Sequence, residues 1–75
     1  MTTLDSLKQG DSARVVDVAG DDGIAMRLME MGVTEGELVT VLGFAPLGDP
    51  MELRIRGYHL SLRASEARRV QIDPV

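Results

Sequence analysis

The chain is predicted to fold as a mainly β protein: a small, closed or nearly closed barrel of about five short strands, with one helix inserted after the first. Three observations lead there. Apolar runs that are β-branched or alternating recur at residues 13–18, 38–42, 51–56, 59–62 and 70–72, separated by stretches rich in Gly, Pro, Asp and Ser. Only one stretch, residues 24–31, carries the helical period. Five short strands also leave edges that need protection, and closing the sheet removes them.

Taken in order, Leu4 and Leu7 stand three apart before Gly10, which predicts a short helical turn or an ordered lead-in. Ala13-Arg14-Val15-Val16-Asp17-Val18 reads as the first strand, and Gly20-Asp21-Asp22-Gly23 breaks it. Asp21 or Asp22 then caps the helix. At about 100° per residue, Ile24, Ala25, Leu28, Met29 and Met31 share one arc, with Arg27 and Glu30 opposite and Met26 left on the polar side. Gly32 stands where a left-handed C-terminal cap belongs. After the turn Thr34-Glu35-Gly36-Glu37, residues 38–42 form a strand apolar on nearly both faces.

Met51-Glu52-Leu53-Arg54-Ile55-Arg56 alternates strictly, and Gly57-Tyr58 reads as a two-residue type II′ hairpin turn with Gly first. That turn implies a register in which Arg56 faces His59, Ile55 faces Leu60, Arg54 faces Ser61, Leu53 faces Leu62 and Glu52 faces Arg63. The last of these is an opposite-charge cross-strand pair. Ser65-Glu66-Ala67 reads as a turn or 3-10 step, and Val70 and Ile72 as a final strand.

At 75 residues the chain is one domain, residues 1–75, closed by an apolar core alone. It has no Cys for a disulfide, and the single His59 has no second metal-ligating side chain beside it, so no metal or cofactor is predicted. The lack of Cys fits a reducing cytosol. No leader is expected at the start, where Asp5, Lys8 and Asp11 are scattered among apolar residues, and no run approaches the roughly 20 apolar residues of a membrane span. The expected location is cytoplasmic. A net charge of −4 and only two aromatics, Phe44 and Tyr58, argue against nucleic-acid binding. The charge is uneven: residues 1–37 hold three basic against eight acidic side chains, and residues 38–75 hold five against four. No nucleophile, base and orienting acid come together in the pattern, so the chain reads as a binding module and not an enzyme.

The strongest binding candidate is the loop Ala45-Pro46-Leu47-Gly48-Asp49-Pro50. Two prolines and a glycine fix its shape, and Pro46, Leu47 and Asp49 lie where binding residues concentrate. Leu47 has two readings, a tip offered to a partner or a side chain folded back on the core. Met26, outside the apolar arc, is a candidate partner contact. Met29 and Met31 are assigned to helix packing. Arg27 is either a group that reaches a partner or a solvated ion-pair member beside Glu30 or Asp22. Arg54 and Arg56, with Arg63, form a basic stripe that either steers an acidic partner or is a solvated sheet face. Tyr58 is either an exposed contact at the hairpin tip or a ring laid over its own barrel.

Five ordered blocks resemble the FeoA family of bacterial ferrous-iron transport proteins: Leu4-x-x-Leu7-x-x-Gly10; Arg27-Leu28-x-x-Met31-Gly32-Val33-x-x-Gly36; the proline hexapeptide 45–50; Gly57-Tyr58-x-Leu60-Ser61-Leu62-Arg63; and Glu66-Ala67. Together they run from Leu4 to Ile72. The resemblance implies an SH3-like barrel. It also implies a cytosolic accessory of the membrane ferrous-iron transporter FeoB, acting through that protein's cytoplasmic GTP-binding portion or its pore assembly. No membrane insertion, nucleic-acid partner or homo-oligomer is predicted. The same fold resembles the C-terminal domain of iron-dependent repressors, which leaves a metal-responsive regulator as the alternative.

Overall fold

The structure is a computed structural model and describes residues 2–75. After a 3-10 turn at Leu4–Ser6 come β1 (Ser12–Val18), α1 (Gly23–Glu30), β2 (Leu38–Phe44), β3 (Met51–Ile55), β4 (Tyr58–Leu62), α2 (Ala64–Ala67) and β5 (Val70–Pro74). The five strands make one antiparallel sheet in the order β4-β3-β2-β1-β5. The mainly β architecture with a helix after the first strand is thus as predicted. The closure is not: β4 and β5 do not pair, and the sheet stays open. The four residues of α2 separate these strands in the chain, where a turn or 3-10 step was predicted.

The core is the inner face of this curled sheet. Ala13, Val15 and Val18, Val39 and Val41, Met51, Leu53 and Ile55, Leu62, and Val70 and Ile72 all point inward from their strands. Leu4, Leu7, Ala25, Leu28, Val33 and Ala67 complete it from the turns and helices. Two bulges bend the sheet, one at Val16 between β1 and β5 and one at Leu42 between β2 and β3. Each adds one residue and sharpens the local twist.

Helix α1 forms for the reasons its sequence gives at both ends. The Asp22 carboxylate accepts the Ala25 N–H at 3.2 Å, capping the first turn. At the other end Gly32, at φ +97°, takes the left-handed position. Its N–H donates to the Met29 carbonyl at 3.1 Å, and the Val33 N–H donates to the Leu28 carbonyl at 3.0 Å. These two bonds are the Schellman motif, and buried Leu28 and Val33 supply its apolar contact. The buried stripe is narrower than predicted. Ala25 and Leu28 are fully buried and Met31 packs partly on the core, but Ile24 and Met29 are exposed. An eight-residue helix laid over a curled sheet covers only a thin strip of itself.

The hairpin is present with a different turn. Arg56 (φ 54°) and Gly57 (φ 84°) are its two central residues, both left-handed, which is a type I′ turn and not the predicted type II′. The pairs are Ile55–Tyr58, Arg54–His59, Leu53–Leu60, Glu52–Ser61 and Met51–Leu62. Moving the turn by one residue shifts every pair by two, so the apolar residues keep their face and the prediction's inside-outside assignment survives. The predicted Glu52–Arg63 pair does not form. Ser61 Oγ donates instead to Glu52 Oε2 at 2.6 Å.

Candidate docking surface

The proline loop is built as a tight turn with a bare tip. The Gly48 N–H donates to the Ala45 carbonyl at 2.7 Å, closing a four-residue turn with Pro46 second and Leu47 third. At the base the Ala45 N–H donates to the Pro50 carbonyl at 3.0 Å. The Asp49 carboxylate accepts the Ala64 N–H at 2.8 Å, fastening the loop to the start of α2. Pro46 is exposed and Leu47 is 97% exposed, so Leu47 is not a core residue. Asp49, a predicted contact residue, uses one oxygen to hold the loop's shape.

On α1, Met26 is exposed on the polar side, as its periodicity predicts, and exposed Met29 stands three residues on, next to it on the helix surface. Arg27 pairs with neither Glu30 nor Asp22. Its guanidinium is bound to Glu66 of α2, a carboxylate only 7% exposed, whose other oxygen accepts the Arg63 N–H at 2.9 Å. Asp22 pairs with Arg69 at 2.6 Å. The hydrogen bond from Arg69, and after it the Ala25 N–H, holds the Asp22 carboxyl below the usual Asp value.

Tyr58 combines both of its readings. Its ring is 42% exposed, and its hydroxyl donates to the Met31 carbonyl at the end of α1. A side chain at Gly32 would run into that hydroxyl, so the glycine serves the contact as well as the helix cap.

The basic stripe is rearranged. Arg54 and Arg56 line an open groove of about 530 Å³ with Arg14, Glu37, Leu38 and Thr40. Arg63 has left the sheet and stands ahead of α2. Arg14 takes its place because β1 lies beside β2, with Arg14 opposite Leu38. Arg14 also donates to the Gly36 carbonyl at 3.0 Å, and Arg56 lies 3.6 Å from Glu37. The strand alternation marks Arg14 as outward-facing, but strand order is not written in local pattern, so the sequence could not bring it to Arg54. The groove and the proline loop lie at opposite ends of the β2–β3 pair. His59 is exposed opposite Arg54. Among the described residues no group of three or more His, Cys, Asp and Glu side chains is placed to hold a metal ion, and no helix is long and apolar enough to cross a membrane.

This arrangement can be set beside known proteins. A family model described as the FeoA domain matches residues 2–74. The Fe(2+) transport protein A/Fe(2+) transporter FeoB fusion protein of Porphyromonas gingivalis is 39% identical over 70 residues. That match takes in 93% of this chain, which spans only 8% of the fusion protein's length. The solution structure of FeoA from Chlorobium tepidum superposes with a TM-score of 0.91 at 39% identity, covering 99% of this chain and 70% of that one. The crystal structure of Stenotrophomonas maltophilia FeoA complexed with zinc, described as a procaryotic SH3 domain protein, gives 0.86 at 36% identity, covering 97% and 91%. The open five-stranded sheet is accordingly SH3-like.

Proposed function

Since this chain belongs to the FeoA family, we propose that it is a small cytoplasmic accessory of ferrous-iron uptake that binds and modulates the cytoplasmic GTP-binding part of FeoB. The observation that carries this reading is covalent: in a relative 39% identical to this chain, the matching segment is joined to FeoB in one polypeptide. Fusion in one polypeptide is the pattern expected of two parts that work side by side.

The loop supplies a means of docking. A leucine held 97% exposed on a proline-braced turn costs free energy in water and gains it on burial. Rigid presentation also lowers the entropy lost on binding. Met26, with Met29 beside it, offers a second, more adaptable apolar patch. The basic groove suits an acidic surface and would steer encounter.

The test is retention of purified FeoB cytoplasmic region on this chain, with Leu47 intact or changed by Leu47→Asp. Saturable retention lost in the variant, with an unchanged melting curve, supports docking through the loop. Equal retention moves docking to Met26 or the arginine groove. No retention in any nucleotide state removes the proposal.

A further inference from the structure

The open sheet ends in two strands that are covered unequally. On β5 the outward edge is already used: the Ile72 N–H donates to the Thr2 carbonyl at 2.9 Å, and Thr3 bridges Gln71. On β4 it is not. A two-residue turn makes Ile55 and Tyr58 a hydrogen-bonded pair, and the alternation of an antiparallel ladder sets the rest. The N–H and C=O of Tyr58, Leu60 and Leu62 face β3, while those of His59 and Ser61 face away from the sheet. Among the described residues no backbone group meets His59 or Ser61 on that side.

Exposed edges are normally blunted by a lysine, a proline, a bulge or a short twisted run. β4 has none of the first three. Its sequence, Tyr58-His59-Leu60-Ser61-Leu62, carries no fixed charge, and its register with β3 runs unbroken over five pairs. Both bulges lie in other strand pairs.

We propose that the outer edge of β4 is a strand-addition site for an extended segment of the partner protein that sets an acidic side chain beside His59, an apolar one beside Leu60 and a neutral one beside Ser61. The inference rests on the association reading given above. Main-chain bonds to His59 and Ser61 would supply affinity, and alternate side chains would supply selectivity. On the outer face, Ser12, Thr40, Arg54 and His59 form one row across β1 to β4. Arg54 and Arg56 lie in a groove where Glu37 is the only acid among the lining residues. An added acidic side chain beside His59 therefore lies on the row of Arg54, whereas the Glu52 carboxylate, bonded to Ser61 Oγ, leaves the next row to a neutral one. On the inner face, an added side chain beside Leu60 meets a half-buried leucine packed on the core. A second copy of this chain is the poorer occupant, because antiparallel pairing of two β4 edges would set two Arg54 rows on the same face.

The experiment is backbone amide hydrogen exchange on the isotopically labelled chain, with and without the FeoB cytoplasmic region, alongside binding by Ser61→Pro and Ser61→Ala. Proline is tolerated where an edge N–H points outward, so Ser61→Pro removes the proposed donor and leaves the β3 ladder intact. Ser61→Ala removes the same hydroxyl but keeps the donor. Expected are at least tenfold slower exchange at His59 and Ser61 in the complex, at least tenfold weaker binding by Ser61→Pro, and wild-type binding by Ser61→Ala. Binding without added protection at those two amides overturns the edge site and leaves the association standing. Absence of any binding by the wild-type chain overturns both. Should Ser61→Pro fail to fold, the exchange result on the unaltered chain decides.

Discussion

Glu66 is the point at which the two helices meet: one carboxylate oxygen holds the Arg27 guanidinium of α1, and the other accepts the Arg63 N–H ahead of α2. The group is 7% exposed, while the Arg27 side chain is 56% exposed. Removing the buried partner is therefore the more damaging change. Glu66→Ala should cost about 2–3 kcal/mol, since it strands a backbone donor and an arginine at once. Arg27→Ala should cost about 1 kcal/mol, because water reaches that side. Urea denaturation of the two variants checks the order, and a more destabilising Arg27→Ala would refute this account of the clasp.

Leu47 makes the opposite prediction. A side chain with almost no contacts contributes almost nothing to the fold, so Leu47→Asp should change stability by less than about 0.5 kcal/mol. The same substitution should weaken retention of the FeoB cytoplasmic region tenfold or more. A drop of several degrees in melting temperature would show the loop to be structural.

Gly32 and Tyr58 should behave as a coupled pair. Gly32→Ala forces a side chain into a left-handed residue and against the Tyr58 hydroxyl, and should cost about 2 kcal/mol or more. Tyr58→Phe alone should cost about 1 kcal/mol, the hydrogen bond to Met31. In the Tyr58→Phe background the obstructing oxygen is gone, so Gly32→Ala should be less destabilising there. A double-mutant cycle measures the coupling, and strict additivity would contradict the contact.

Asp22 predicts the acid response. Its pKa is lowered on folding, by the Arg69 hydrogen bond first and the Ala25 N–H second. The ionised form is thus favoured by the native state. Its contribution is present above the ordinary Asp value, near pH 4, and is lost as pH falls toward the lowered folded value. Asp22→Asn keeps a capping oxygen but loses the charge. The melting temperature of the variant should fall less steeply than wild type below pH 4, and parallel curves would argue against the assignment.

Local chemistry was legible in the sequence, and long-range pairing was not. The Asp22 cap, the Gly32 terminus, the outward Met26 and the five strands each follow from neighbours a few residues apart. The hairpin turn was misplaced by one residue because Gly suits the first position of one turn type and the second of another. The pattern could not show that Arg56 accepts a left-handed backbone. Glu66 reads only as part of a short turn, since nothing nearby in sequence marks it as Arg27's partner. Arg14 reached the groove only through strand order. The barrel was expected closed because closure protects edges, but the short stretch between β4 and β5 folds as α2 and keeps them apart.

The way α1 is fastened has a consequence for how the molecule answers its medium. Between strands the seams are amide ladders, nearly indifferent to dissolved ions. The helix is held by Ala25, Leu28 and part of Met31 on the core, by the Tyr58 hydrogen bond to Met31, and by two ionised contacts, Arg27–Glu66 and Asp22–Arg69. Electrolyte shortens the reach of charge from about 10 Å at 0.1 M to about 3 Å at 1 M, most strongly where water has access. Rising ionic strength thus loosens one element while the sheet beneath it holds. Met26 and Met29 ride on that element, so the apolar patch they form is the part of the surface whose order depends on salt.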